Sequence, residues 1–256
     1  MYAQPIIQLK HFSRCYHRPE YKGKKIVNVI PQTLFKDFEL TIHQGEFVAI
    51  TGPSGTGKTT LQNTLGLLDP ITSRGKKYPL NGKIYQSITS DGTLEWYGQK
   101  VSDFNHRQRA RFINQNIGFI FQSFELINDL TVLENVALPK RISGANKKQA
   151  KTVAMQRLQQ FDIADKAEYH PLILSGGEQQ RTAIARALTN DAKVILADEP
   201  TGNLHADMKE QIIQTFLALQ QKGITIVMVT HDEKKLYDDS NQLRVDRIVT
   251  LDTHHG

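Results

Sequence analysis

The stretch Gly52-Pro53-Ser54-Gly55-Thr56-Gly57-Lys58-Thr59 constrains this chain more than any other feature. It matches G-x-x-x-x-G-K-[ST]. The glycines let the backbone turn tightly, so that successive N–H groups point inward at phosphate oxygens. Lys58 supplies a point charge for a β- or γ-phosphate, and the Thr59 hydroxyl can ligate Mg²⁺. Thr60 completes the candidate phosphate-binding run. Such a loop needs a buried strand to fix its start and a helix behind it, whose positive N-terminal dipole faces the same anion. Both are legible here. Phe47-Val48-Ala49-Ile50-Thr51 is an apolar run of strand length, and Leu61–Leu68 reads as helical.

Two further apolar segments read as buried strands, Val194–Asp198 and Ile224–Thr230. Each is short, partly β-branched and bounded by Gly or a charged residue, as a strand covered on both faces should be. Helical patterns lie around them at Ala150–Phe161, Gln179–Leu188 and Lys209–Leu219. The alternation predicts an α/β fold with a mainly parallel core sheet. At 256 residues the chain suits one large domain, or a domain with a smaller lobe inserted. Residues 17–33 are polar and basic and break the pattern, as does 72–105. The second stretch reads as antiparallel hairpins on one edge, with turns expected at Asn81-Gly82 and Asp91-Gly92.

Composition narrows the classes. Charged residues are 23% and the hydrophobic class 39%, which excludes wholesale disorder. The longest apolar run, Ile224–Val229, is far short of the ~20 residues of a membrane span. Met1–Pro5 lacks the regions of a signal peptide, and the single Cys15 allows no internal disulfide, so a cytoplasmic setting is expected. Cys15 reads as a small strand residue with no base or metal-ligand partner nearby. The net charge of +6 is spread over short groups such as Lys22-Lys24-Lys25, Arg74-Lys76-Lys77 and Lys147-Lys148. Solvated surface is the default reading of each, and charge alone selects no partner.

Val194-Ile195-Leu196-Ala197-Asp198-Glu199 ends in two carboxylates. Asp198, at the strand tip, suits Mg²⁺; Glu199, facing differently, suits a general base that polarises water against a γ-phosphate. Leu174-Ser175-Gly176-Gly177-Glu178-Gln179-Gln180-Arg181 precedes a helix and makes a second anion cradle. One active site does not need two cradles from one chain. A dimer that sandwiches nucleotide between the cradle of one copy and the phosphate loop of the other does.

On these residues the sequence resembles the nucleotide-binding subunits of ATP-binding-cassette (ABC) transporters. The Leu-Ser-Gly-Gly-Glu-Gln run is similar to that family's signature. Gln122 in Phe119-Ile120-Phe121-Gln122 matches its Q-loop, Pro200-Thr201-Gly202-Asn203-Leu204 begins its D-loop, and His231 matches its switch histidine. Leu133-Glu134-Asn135-Val136 and Ala197–Leu204 look like the versions found in the lipoprotein-releasing and macrolide-exporting subgroup. The resemblance implies one P-loop NTPase domain over 1–256. Its antiparallel β region would span about 1–46 and 72–105, and its inserted α-helical subdomain about 123–180.

The resemblance also implies ATP and Mg²⁺ as cofactors, with Thr59, Gln122 and Asp198 at the metal. Glu199, His231 and Gln122 would be the catalytic set. Ser175, Gly176, Gly177, Glu178 and Gln179 would bind ATP in trans. Asn203, Leu204 and His205 would couple the paired sites. Tyr16 would stack on adenine, with Tyr21 as a rival. Implied partners are a second copy of the chain and a separate permease at the cytoplasmic face of the plasma membrane, with no nucleic acid. The output would be ATP-driven export or extrusion. A cell-division-type ATPase that signals without transport shares these motifs. A DNA-associated ABC ATPase is disfavoured by the lack of heptads and paired cysteines. Position 205 is His where the family carries Asp, which puts strict coupling in doubt, and the 72–105 hairpin region is longer than usual for the subgroup.

Overall fold

The computed structural model describes residues 4–202 and 204–252, with the backbone alone at Ala206 and Lys235. Asn203 lies outside the described residues. In chain order the elements are β1 (Pro5–Lys22), β2 (Lys25–His43), β3 (Phe47–Thr51), α1 (Lys58–Leu65), β4 (Arg74–Leu80), β5 (Lys83–Trp96), β6 (Gln99–Lys100), α2 (His106–Asn116), β7 (Ile117–Ile120), α3 (Val132–Ile142), α4 (Lys147–Gln160), α5 (Gly176–Ala187), β8 (Val194–Asp198), α6 (Ala206–Gln221), β9 (Thr225–Val229) and β10 (Arg247–Thr250). They form two compact units. Of the described residues, one unit holds those within 4–43, 52–103 and 250–252, and the other those within 44–51 and 104–249.

The second unit is built on a sheet of order β10-β3-β9-β8-β7, in which β3, β9, β8 and β7 run parallel. Strands β3 and β9 are buried along their whole length, which is why they read as unbroken apolar runs. Phe47, Ile195, Ala197, Ile226 and Met228 of the sheet share one core with Val136, Leu158, Ile184 and Phe216 of the helices. Helices α2, α3, α4 and α5 each open on a reciprocal capping box, from Asn105, Thr131, Asn146 and Ser175, so two N-terminal N–H donors are satisfied in each case.

The first unit carries an antiparallel sheet of order β2-β1-β5-β4, with β6 beside β5. Trp96 and Phe12 are fully buried, and the Trp96 indole N–H donates to the Leu65 carbonyl at 3.1 Å. Arg14 is also buried; it pairs with Asp69, lies 5.3 Å over the Phe12 ring, and donates to the Pro70 carbonyl at 3.0 Å. Arg74 pairs with the same Asp69 carboxylate.

Three local expectations need correction. Asp91-Gly92 is not a turn: β5 runs through it, with Asp91 opposite Ser13 and a register shift in β1 between Lys10 and Ser13. Gly92 takes φ 123° there, and a Cβ on it would meet the Phe12 Cα at 2.8 Å, so glycine marks a bulge. The actual turn after β5 is Tyr97-Gly98. Residues 17–33 do not interrupt the fold; they are the outer part of one long β1–β2 hairpin. Pro31 is tolerated because β2 is the sheet edge. Pro19 is tolerated because β5 has stopped pairing with β1 at Tyr16. Finally, Cys15 does have a neighbour. Residues i and i+2 share a strand face, which brings His17 Nε2 to 3.8 Å from its Sγ.

Candidate active site

In the first unit, the chain leaves Thr51 and turns at Gly52 with φ 139°, where a side chain would collide with the Leu251 carbonyl. Gly57 caps α1 with φ 96°, and a Cβ there would meet the Phe35 ring at 2.9 Å. Glycine is required at both positions for backbone reasons. Thr56 is buried and its hydroxyl donates to the Pro53 carbonyl at 3.0 Å, closing the loop on itself. Pro53, Ser54, Gly55 and Thr59 are exposed, and Thr60 is half-buried. The Lys58 ammonium bridges the loop, donating to the Gly52 and Pro53 carbonyls at 2.8 and 2.9 Å. Unlike α2–α5, α1 has no side chain capping its first turn. Its N-terminal N–H groups and a strapped cation face one loop, a donor set that fits a polyphosphate.

In the second unit, β8 ends at Asp198 and the next residue, Glu199, adopts φ 45°. A left-handed non-glycine residue is strained, of order 1–3 kcal/mol, and persists only where its surroundings fix it. Here the fixing contacts are explicit. Glu199 N–H donates to the Val229 carbonyl, and the Glu199 carbonyl accepts from Gly202 N–H, each at 3.0 Å. The strain turns the carboxylate onto the end of β9, where His231 Nδ1 lies 2.8 Å from its Oε2 and His231 N–H at 3.4 Å. Glu199 is mostly shielded while His231 is two-thirds exposed, so the histidine faces solvent far more than the carboxylate does. Gln122, after β7, lays its amide over Gly202, with Nε2 3.1 Å from the place a Cβ would take. Gln122, Glu199 and His231 therefore meet around one turn, with Asp198 one residue before it.

The Ser175–Gln179 run starts α5. Ser175 N–H and Oγ both donate to Glu178 Oε2, at 2.7 and 2.8 Å, and hold that carboxyl below its usual range. Gln179 Nε2 donates to the Leu174 carbonyl at 3.0 Å. Gly176 opens the helix, and Gly177 is covered by the Met208 methyl from the first turn of α6. Leu204 is buried in the core of this unit, and His205 is the exposed N-cap of α6 with no side-chain cap hydrogen bond. In the first unit Tyr16 sits half-buried in β1, opposite Gln32 and Ile88, and Tyr21 is exposed near the hairpin tip.

Comparison with known proteins decides the family. The family model described as ABC transporter matches residues 35–202. The chain belongs to the ABC transporter family. It is an ATP-binding subunit of that family, and ATP hydrolysis is its activity. It is 39% identical to the ABC transporter ATP-binding protein YknY of Bacillus subtilis, over 93% of this chain and 91% of that protein. It is 42% identical to the ABC transporter ATP-binding protein MJ1508 of Methanocaldococcus jannaschii, over 90% of each. It is also 39% identical to the macrolide export ATP-binding/permease protein MacB of Escherichia coli, over 89% of this chain but 31% of MacB. Among solved structures, the dimeric ABC transporter cassette MJ0796 superposes with a TM-score of 0.73 at 33% identity, covering 97% of this chain and 95% of that one. A post-hydrolysis state of the same cassette, bound to ADP and Pi, gives 0.73 at 32%.

The motif reading missed the side chains that hold the turns at Glu199 and Gln122 in shape. Gln180 of α5 is fully buried and donates to the Pro200 carbonyl at 2.9 Å, next to the strained Glu199. Arg186, two turns on, donates to the Phe124 carbonyl at 2.7 Å and also to that of Glu125. Those two residues follow the Gln122 turn and both have positive φ. Burial pushes the Arg186 guanidinium down, yet it remains a clamp on two carbonyls. One helix thus grips the peptide after Glu199 and the loop after Gln122. Gln180 stood inside the motif run, but nothing in its sequence distinguishes it from half-buried Gln179. Arg186 carried no local signal.

Proposed function

We propose that this ABC subunit binds Mg-ATP through Gly52–Thr60 and hydrolyses it with Glu199 as general base, as one of two copies that close on two nucleotides and drive a separate permease. The observation that carries the chemistry is Glu199, held with positive φ in a shielded place and paired to His231. A carboxylate so oriented can take a proton from water, and His231 can orient it while reaching toward a γ-phosphate. Lys58 exchanges its two carbonyl partners for β- and γ-phosphate oxygens. Thr59, Gln122 and Asp198 supply the hard oxygen ligands that Mg²⁺ takes, and that ion supplies charge neutralisation on the phosphates. Tyr16 stacks on adenine. In the closed pair, Ser175, Gly176, Gly177, Glu178 and Gln179 meet the partner copy's nucleotide, a reading supported by the dimeric state of the MJ0796 cassette.

Among the described residues no helix is long and apolar enough to cross a membrane. We assign permease contact to the helical subdomain, about 123–180. Support comes from a cleft of about 320 Å³ between α3 and α4, lined by Leu130, Glu134, Leu138, Arg141 and Lys147. The likeness to MacB favours export or extrusion as the output. Coupling through Asn203, Leu204 and His205 is weaker than with a family-typical Asp at 205, because imidazole can donate where carboxylate only accepts. The phosphate-loop assignment is tested by Lys58→Ala: nucleotide binding and ATPase activity are both lost. Hydrolysis at the wild-type rate by a folded variant refutes the assignment.

A further inference from the structure

The antiparallel sheet ends in two tight hairpins that share one end. Strands β1 and β2 turn at Gly23-Lys24, with Gly23 at φ 62°; β4 and β5 turn at Asn81-Gly82, both with positive φ. Because β5 is antiparallel to β1, its start lies at the end of β1, and both tips point the same way. The tips are strongly basic. Arg18, Lys22, Lys24 and Lys25 are exposed on one, Lys76, Lys77 and Lys83 on the other. The one carboxylate among them, Glu20, accepts from Asn28. None of these cations is paired with a carboxylate among the described residues. Lys22 even stands directly across from Lys25, a like-charge pairing that costs hairpin stability.

Large apolar side chains stand among these charges. Ile84 is 68% exposed, Tyr21 59%, Val27 52% and Ile30 45%. The long β1–β2 extension buries little: beyond Tyr16 β1 pairs with β2 alone, touching β5 through the His17 ring on Tyr85, and Val29 is the one hydrophobic residue of that stretch in the core. Packing therefore does not explain why the extension is there.

We propose that the two hairpin tips dock on an anionic bilayer surface, with the lysines at the headgroups and Val27, Ile30 and Ile84 entering the headgroup–acyl boundary. Unpaired cations are attracted to the negative surface, and each aliphatic side chain removed from water adds to the binding. A nucleic acid would use the same cations and could stack a base on Tyr21, but the three exposed aliphatic side chains Val27, Ile30 and Ile84 offer nothing to bases or phosphates, which favours lipid. The inference is independent of the residue roles assigned to the ATPase site.

The test is sedimentation of the full chain with vesicles of phosphatidylcholine alone or mixed with phosphatidylglycerol. The chain is expected to bind the mixed vesicles, weakly in high salt, and not the neutral ones. Lys22→Glu/Lys24→Glu/Lys25→Glu should weaken binding by more than about a hundredfold. Val27→Ser/Ile84→Ser should weaken it about tenfold. Both variants should keep wild-type ATP hydrolysis, which reports their folding; Lys22→Gln/Lys24→Gln/Lys25→Gln, with a smaller loss of binding, stands in should charge reversal impair it. No binding to mixed vesicles, or full binding by the charge variants, overturns the proposal. So does wild-type binding by the Val27/Ile84 variant together with competition by short single-stranded DNA, which would assign the tips to nucleic acid.

Discussion

Replacing His205 with Asp should stabilise the protein, and the structure gives the size of the effect. His205 is the N-cap of the 16-residue α6, with φ −68° and ψ 159°, and its ring makes no cap hydrogen bond. Those dihedrals are the ones an Asp N-cap uses to accept from the second or third amide of the helix, a contact typically worth about 1 kcal/mol. The carboxylate also gains from the helix dipole by about 0.3–1 kcal/mol. Asp207, already in the first turn, offsets part of that dipole gain. The net expectation is about 1 kcal/mol, which at 256 residues raises the apparent Tm by roughly 2–4 °C. His205→Ala should change stability by under about 0.5 kcal/mol, since no cap is removed. Paired thermal and urea denaturation of the three proteins is the assay. An unchanged or lower Tm for His205→Asp, or a large loss for His205→Ala, refutes the reasoning, because the ring would then be making a contact that matters more than the cap.

Gln180→Leu leaves the buried Pro200 carbonyl without its donor, a cost of about 1–3 kcal/mol, partly offset because Gln180 Oε1 has no partner to lose. Steady-state kinetics should show kcat falling with KM for ATP nearly unchanged, since the substitution loosens the peptide carrying Glu199; a change in KM alone contradicts this. Glu178 is held below the usual carboxylate range by the Ser175 N–H and hydroxyl, so its contribution to stability is full at neutral pH and is lost as pH falls through its lowered folded value. Urea stability measured against pH should therefore decline less steeply on the acid side in Glu178→Gln than in the wild type, and parallel curves count against that role.

The parallel core was legible because strands covered on both faces leave continuous apolar runs, as in Phe47–Thr51 and Val194–Asp198. The phosphate loop was legible because backbone geometry demands glycine at 52 and 57. Asp91-Gly92 misled because the same dipeptide serves a hairpin turn and a strand bulge, and the choice between them is set by β1 across the sheet. The long hairpin at 17–33 was opaque for a related reason: its strands have exposed faces and two prolines, and only the sheet order shows where prolines are harmless. Gln180 and Arg186 act on carbonyls far away in sequence, at Pro200, Phe124 and Glu125. Side chain–backbone contacts of that kind leave no pattern in the chain that makes them.

The central claim is that Glu199 is the base in an ATPase that works as a closed pair of copies. Glu199→Gln keeps the shape of the side chain and removes its basicity. Size-exclusion chromatography with Mg-ATP, combined with a single-turnover assay of phosphate release, tests both halves at once. The variant should bind ATP with near-wild-type affinity, release phosphate slower by about 10²–10⁴-fold, and elute as a stable dimer that the wild type forms only transiently. A variant that turns over at the wild-type rate, or that binds ATP and stays monomeric at saturation, would contradict the account.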